Sequence, residues 1–389
     1  MKLKRLPEDF RVEELPTVRG ADRGRYTFYR LKKRGVGTIE AIDSIARHWN
    51  LAARQISYGG LKDRHAETIQ YLTIADGPAR AIEEPNLLLE PLGKLEFAYG
   101  PAHFRGNRFG VVLRDLSGED AASAIRAMGE LPVDGLPNYF DDQRFGSVGY
   151  DGDFIGRAWL AGDHEKALKL AIAEANPSDR PDTKVEKAIL RENWRDWAAA
   201  KAKLDRSHAR SLVTYLVDHP EDFRGAFARL KRELRSLYFS AYQSHLWNLA
   251  LGRLITRVTE PDQRAEIEFK AATMPIHRGL TAEQAATLRS TQIPLPSSRN
   301  TIPDGLLGEI LNEVATEQAI PWSEMRVKHL KDVFFSKGHR AALIDTGGLS
   351  HNDEADELYP GRRKLSLEFE LPKGGYATIV VKRLTEAAR

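Results

Sequence analysis

Apolar and polar positions alternate over short stretches at both ends of the chain. Phe10-Arg-Val-Glu-Glu-Leu and Arg25-Tyr-Thr-Phe-Tyr-Arg-Leu read as strands from their aromatic and β-branched content. Ile39, Ile42, Ile45 and Trp49 recur at helical spacing, so a helix capped by Thr38 is expected to run to Trp49. Ile56-Ser-Tyr and Thr68-Ile-Gln-Tyr-Leu-Thr-Ile read as strands flanking a loop, and Arg108-Phe-Gly-Val-Val-Leu as a further strand. Ser117 with Asp120 makes a capping box for a helix to about Glu130.

From about residue 150 to 260 the period turns helical. Thr183-x-x-Glu186 predicts the start of a long helix with Lys184, Lys187, Arg191 and Arg195 on one solvated face. Residues 221–258 are helix-rich and carry Tyr242-Gln-Ser-His-Leu-Trp247; residues 270–325 show no clear period. Strand character returns in Leu365-Ser-Leu-Glu-Phe-Glu-Leu371, which alternates strictly. Pro372-Lys-Gly-Gly375 reads as a turn and Tyr376-Ala-Thr-Ile-Val-Val381 as a buried strand. β-rich ends around an α-rich middle predict an α+β domain interrupted by an insertion. No repeat of about 20–50 residues is present.

Composition bounds the chemistry. The 389 residues are 42% apolar, which excludes wholesale disorder. With no cysteine, disulfides, thiolate metal sites and a thiol nucleophile are excluded. No apolar run approaches the ~20 residues that span a bilayer, and the basic start runs at once into Pro7-Glu-Asp without a secretory apolar segment. A soluble, cytoplasmic, monomeric protein is expected.

Net charge is only +3, yet residues 1–65 hold 15 Lys or Arg against 8 Asp or Glu. The excess includes Arg30, Lys32, Lys33 and Arg34, interleaved with Tyr26, Phe28 and Tyr29. Cations among aromatics suit a phosphate backbone with stacked bases; the plainer alternative is a solvated strand edge over core aromatics. Lys32, Lys33 and Arg34 are the expected RNA-backbone contacts.

No phosphate-binding loop, zinc-protease helix or serine-hydrolase elbow occurs, and the histidines lack metal-ligand spacing, so most are expected at the surface or locally bonded. One loop is distinctive: Gly59-Gly-Leu-Lys-Asp-Arg-His-Ala66. Its glycine pair allows a tight turn and close substrate approach. Asp63 stands between cationic neighbours, which would keep its carboxylate ionised and able to act as a nucleophile at a sugar carbon. Taken alone, the same residues also describe a charged surface turn.

Gly60-Leu-Lys-Asp-Arg-His-Ala66, with Thr68 and Gln70, resembles the signature of TruD-type tRNA pseudouridine synthases. Five further segments resemble that family in its order: Pro7-Glu-Asp-Phe-Arg-Val-x-Glu14, Gly106-Asn-Arg-Phe109, Pro137-Asn-Tyr-Phe-Asp-Asp-Gln-Arg-Phe-Gly146, Ser240-Ala-Tyr-Gln-Ser-His-Leu-Trp-Asn248 and Gly375-Tyr-Ala-Thr-x-Val-Val381. Gly59 stands where the family usually has Ala, Asp141 where it has Gly, and Tyr376 where Phe is frequent; residues 260–335 match no motif.

The resemblance implies a bipartite pseudouridine-synthase catalytic domain, a mixed or antiparallel sheet with helices, at residues 1–138 and 345–389. A helix-rich TRUD insertion domain would occupy 139–344. It implies isomerisation of uridine to pseudouridine, typically at position 13 of tRNA, with a flipped-out base, tRNA as partner, and neither metal nor organic cofactor. Asp63 matches the family's nucleophile and Lys62 is placed as its charge partner. Phe10, Asn107 and Tyr376 match substrate-binding positions, with Phe109 on the same strand face as Asn107. Tyr139, Phe140 and Phe145 are expected to be structural, and Gln243 and Ser244 to pack a helix.

Three alternatives are weighed against this reading. A synthase of the same fold could act on other structured RNAs. A non-catalytic RNA-binding protein is disfavoured by the intact Asp63 loop. A glycosidase normally needs two carboxylates across the scissile bond, and the loop offers one.

Overall fold

The structure, a computed structural model, describes residues 1–149, 151–176 and 179–387. It divides into two compact units, residues 1–136 with the chain from 344 onward, and residues 137–343.

Both segments of the first unit enter one sheet. Its strands run in the order Gly347–Ala355, Arg363–Pro372, Phe104–Leu116, Phe10–Pro16, Glu67–Ala75, Tyr26–Arg34, Leu87–Leu95, Ile82–Glu84, and Ile56–Tyr58 adds to Glu67–Ala75. Phe10–Pro16 lies parallel to Glu67–Ala75 and the other strand pairs of this sheet are antiparallel, so the sheet is mixed. Strict alternation places Leu365, Leu367, Phe369 and Leu371 on a buried face. The helix Thr38–His48 lays Ile42 and Ile45 on a core of Tyr29, Leu31, Leu72, Ile74 and Leu89, with Trp49 packed against it. Ser117 starts the helix Gly118–Asp134 by accepting the Asp120 N–H at 3.0 Å, and Gly135 ends it at φ 68°.

One buried ion cluster ties this unit's segments together. Arg114, 4% exposed, donates to both Asp9 oxygens at 3.0 Å, to Asp356 at 3.1 Å and to Glu357 at 2.9 Å. Asp9 also accepts the N–H groups of Arg5 and Leu6, so the cluster fixes the chain on either side of Pro7.

Several expectations need correction. Residues 376–381 are not a strand: Tyr376 is the N-cap and Ala377–Thr385 is helical. A short β-branched run is ambiguous between strand and buried helix, and here tertiary anchoring decides. Val380, Val381 and Leu384 are buried, and buried Arg383 pairs with Glu130 at 2.6 Å and Asp134 at 3.0 Å. Thr38 does not cap its helix; Gly37 does. The helix expected from Thr183 starts at Pro181 and stops at Glu192. Arg195 lies beyond it at φ 73°, paired with Glu165, so the four-cation stripe is broken.

The second unit is built around the 27-residue helix Arg232–Val258, from which Phe239, Tyr242, Trp247, Leu251 and Ile255 are buried. Short helices between Ile155–Leu160 and Phe223–Ala228 precede it. Residues 270–325, which showed no clear period, contain the strand Thr273–His277, paired with Arg264–Glu268, and the helices Ala282–Ser290 and Leu306–Glu317. Tyr139, Phe140 and Phe145 are buried, as expected of structural aromatics. Asn248 exchanges two hydrogen bonds of 2.8 Å with the Phe140 backbone.

The histidines are not all peripheral: His245 is 7% exposed and stacks on Phe154 with ring centres 4.6 Å apart. Burial, helped by the Arg157 charge, pulls its pKa down to about 4. Between about pH 6.5 and 4 the unfolded chain therefore binds the proton more readily than the folded one. Stability should fall as pH drops through that window and recover above it. Urea melts at pH 7 and pH 5 should show this loss in the wild type and a smaller one in His245→Phe; equal losses would refute it.

Candidate active site

The distinctive loop lies between the strands Ile56–Tyr58 and Glu67–Ala75. Its entry is packed rather than open. A Cβ on Gly59 would come 2.9 Å from the Phe104 ring and 3.1 Å from Glu14, so glycine here makes room for Phe104, while Gly60 faces open space. Thr38 pins the loop by accepting the Lys62 N–H at 2.9 Å and donating to buried Gln70 at 2.9 Å.

Asp63 is held at both carboxylate oxygens. Oδ1 accepts the His65 N–H at 2.9 Å and Oδ2 accepts Lys4 Nζ at 2.7 Å. Partial burial opposes ionisation, but the Lys4 and His65 hydrogen bonds and the Lys4 charge outweigh it, so the carboxyl titrates below its ordinary value. Two contacts leave lone pairs of the carboxylate for other chemistry.

The partners of Asp63 differ from those expected from its neighbours in sequence. Lys62 is not its charge partner: its Nζ lies 2.7 Å from Glu14, both groups being buried. Arg64 reaches Glu40 instead. Adjacent side chains diverge around a turn, so neighbours in sequence need not share a charge. Glu14 Oε2 also takes the Tyr71 N–H at 3.2 Å and the Tyr99 hydroxyl at 3.3 Å. Burial, then Glu14, push Tyr99 far above its ordinary pKa.

Lys33 also departs from its assigned role. It is 1% exposed, and its Nζ donates to the backbone oxygens of Val36 at 2.7 Å and Asp63 at 3.3 Å. Consecutive strand residues face opposite ways, so Lys32-Lys33-Arg34 cannot act as one basic surface. Lys32 pairs with Glu67 at 3.1 Å and Arg34 with Glu8 at 2.8 Å, both partly exposed. Burial draws the Lys33 pKa down to about 8, against the pull of Asp63. This lysine supports the loop from beneath.

The sheet brings most of the remaining candidates together. In register, Phe109 lies opposite Val12 and Phe369, and Asn107 opposite Glu14 and Leu371. Phe10 meets Phe109 edge-on at 6.3 Å, and Phe109 stacks on Phe369 at 5.6 Å. Lys4 Nζ sits 4.1 Å from the Phe10 ring centre, so one ammonium bridges the aromatic pair to Asp63. Among the described residues the buried Asn107 side-chain oxygen has no hydrogen-bond partner, so it can accept one from a ligand. Tyr376 follows the turn that leaves the strand Arg363–Pro372 next to Gly106, so it is placed by the strand beside Asn107. No distance ties it to Asp63.

Lys4, Thr38 and the support from Lys33 escaped sequence reasoning. The only signal for Lys4 was the basic start of the chain; it lies 59 residues from Asp63, beyond any local period. Among the described residues no group of three His, Asp or Glu could hold a metal ion, and no helix is long and apolar enough to cross a membrane.

An anionic aspartate linked through Lys4 to an aromatic pair, with a buried amide oxygen on the same strand as Phe109, suits chemistry on a sugar bearing a flat base, and the likeness to known proteins agrees. A family model described as tRNA pseudouridine synthase D (TruD) matches residues 1–384. A relative from Methanococcus maripaludis, described as a probable tRNA pseudouridine synthase D 1, is 30% identical, with 99% of each chain covered. A tRNA pseudouridine synthase D from Aquifex aeolicus is 27% identical over 99% of this chain and 98% of its own. A crystal structure from Methanosarcina mazei, assigned as tRNA pseudouridine synthase D, superimposes with a TM-score of 0.76 at 27% identity, covering 98% of this chain and 93% of that one. With motifs, fold and whole-length likeness in agreement, this chain is a member of the TruD family of pseudouridine synthases, isomerases that act on RNA.

Proposed function

We propose that the protein isomerises uridine to pseudouridine in tRNA, at position 13, with Asp63 as the nucleophilic carboxylate of a catalytic unit formed by the first and last parts of the chain. The observation that carries this reading is the state of Asp63: a loop carboxylate kept ionised by Lys4, bridged by the same ammonium to Phe10. The reaction breaks the N1–C1′ bond, rotates the uracil and joins C5 to C1′; the proton lost from C5 is balanced by one gained at N1. The carboxylate serves either by adding to C1′ or by assisting a glycal route. Phe10, Phe109 and Tyr376 supply aromatic faces that restrain the detached base without fixing its rotation. Asn107 offers its unpaired oxygen to a uracil N–H. Lys4, rather than Lys62, neutralises the Asp63 charge; Lys62 and Glu14 form the buried platform beneath.

The test is pseudouridine mapping of total RNA from a strain lacking the gene, with and without its restoration. Loss of the modification at tRNA position 13, recovered on restoration, is expected. An unchanged tRNA profile with a change in another RNA would favour the synthase of different target; no change anywhere would refute the activity.

A further inference from the structure

The second unit carries a concavity of about 650 Å³ whose chemistry the proposed catalytic residues do not use. It is lined by residues 297–299, 325–331 and 333–335, and none of these is acidic. Arg299, Arg326, Lys328 and Lys331 contribute positive charge, and none of the four makes an ion pair among the described residues. By contrast, the exposed cations Arg30, Lys32 and Arg34 of the Tyr26–Arg34 strand pair with Glu90, Glu67 and Glu8. Beside them Phe334 is 64% exposed, the most exposed phenylalanine among the described residues, with the Arg299 guanidinium 5.1 Å from its ring centre.

An exposed ring costs solubility, and unpaired like charges repel, so each calls for an explanation. The segment is also held rigidly although residues 325–338 contain no regular strand or helix. Gln243, buried on the central helix, donates to the backbone oxygens of Pro296 and Ser336, each at 2.8 Å, and so clamps both lining segments. The Trp159 indole donates to Lys328 O at 3.2 Å. Asp332, the one acid between Met325 and Phe335, is not in the lining and is engaged by Arg235 at 2.7 and 2.8 Å. Met325, Leu330, Val333 and Phe335 are buried and anchor the segment. The charges and the ring are thus presented on a fixed frame, with the acid turned to the frame and the cations to solvent.

We propose that this pocket is a second RNA contact, taking an unpaired nucleotide with its phosphates on Arg326, Lys328 and Lys331 and its base on Phe334. The proposal rests on the reading that the chain acts on RNA. Cations alone would suit any polyanion. An aromatic face with a guanidinium over it, set among them, suits a base attached to its phosphate. Contacts of this kind position a substrate and do not choose the reacting uridine.

The experiment measures affinity for an unmodified tRNA transcript over a range of salt concentrations, for the wild type, the double variant Lys328→Glu/Lys331→Glu, Phe334→Ala and Phe334→Trp. All three substituted positions are exposed, and thermal unfolding checks that each protein is folded. Charge reversal should weaken binding at least about tenfold at low salt and flatten the salt dependence by about one to two released counterions. Phe334→Ala should weaken binding about tenfold while leaving the salt slope unchanged, because stacking releases no counterions; Phe334→Trp should restore it. The conversion lost by either variant should return as tRNA is raised. Photo-crosslinking with thiouridine-containing RNA should label residues 325–335 of the wild type. Unchanged affinity and slope in the charge-reversed protein, or crosslinks lying elsewhere, would overturn the pocket while leaving the catalytic reading intact. A wild type that binds here and converts no uridine would overturn the catalytic reading instead. Displacement of the RNA by polyglutamate as readily as by a short single-stranded oligoribonucleotide would identify a general anion surface and sink the nucleotide assignment.

Discussion

Asp63→Asn is expected to lower pseudouridine formation by a factor on the order of 10⁴ or more while the protein still folds and binds tRNA. The substitution is nearly isosteric. Asn Oδ1 can still accept the His65 N–H, and the lost contact with Lys4 is a partly exposed one, worth ~1 kcal/mol at most. What it removes is the anion, the one property the chemistry at C1′ requires. Single-turnover conversion, tRNA affinity and thermal unfolding should be measured together. Near-normal conversion by the variant would make Asp63 a turn residue and overturn the mechanism. Lys4→Gln supplies an independent readout. Lys4 holds the Asp63 carboxyl below its ordinary value, so without it protonation begins at higher pH. The acid limb of the rate profile should then move upward, whereas loss of a merely structural contact would lower the rate equally at every pH.

Arg114→Leu should cost roughly 3–5 kcal/mol of stability, because it leaves the buried carboxylates of Asp9 and Asp356 without their cation. The consequence reaches the site. Asp9 orders the N–H groups of Arg5 and Leu6, and the segment it fixes carries Lys4 on one side and Phe10 on the other. The variant should therefore also lose activity under conditions where it remains folded. Denaturant unfolding gives the first effect. Adding Asp9→Asn should recover part of the lost stability, since one uncompensated charge then disappears. A loss below about 1 kcal/mol, or no recovery in the double variant, would show that water reaches the cluster and replaces the guanidinium.

The sequence by itself carried what is local or repeated. Alternation along residues 365–371 and the aromatic and β-branched content of residues 10–15 were enough for strands, because a strand's side chains obey a period of two whatever lies beside them. Ser117 capped a helix as its spacing with Asp120 foretold. Asp63 stood out from residue types in one loop, and the family likeness from six short segments.

Tertiary structure decided everything that depends on a second chain segment. Tyr376-Ala-Thr-Ile-Val-Val381 has strand composition, yet buried Arg383, paired with Glu130 and Asp134, docks it as a helix. Three adjacent cations at residues 32–34 look alike in sequence, but the pleat sends Lys33 inward to the loop backbone and its neighbours outward. Lys62 and Arg64 adjoin Asp63 along the chain, yet it is Lys4 that meets its carboxylate in space. Which ammonium meets which carboxylate is set by distances of a few ångströms, and only the pairing of strands distant in sequence creates those distances.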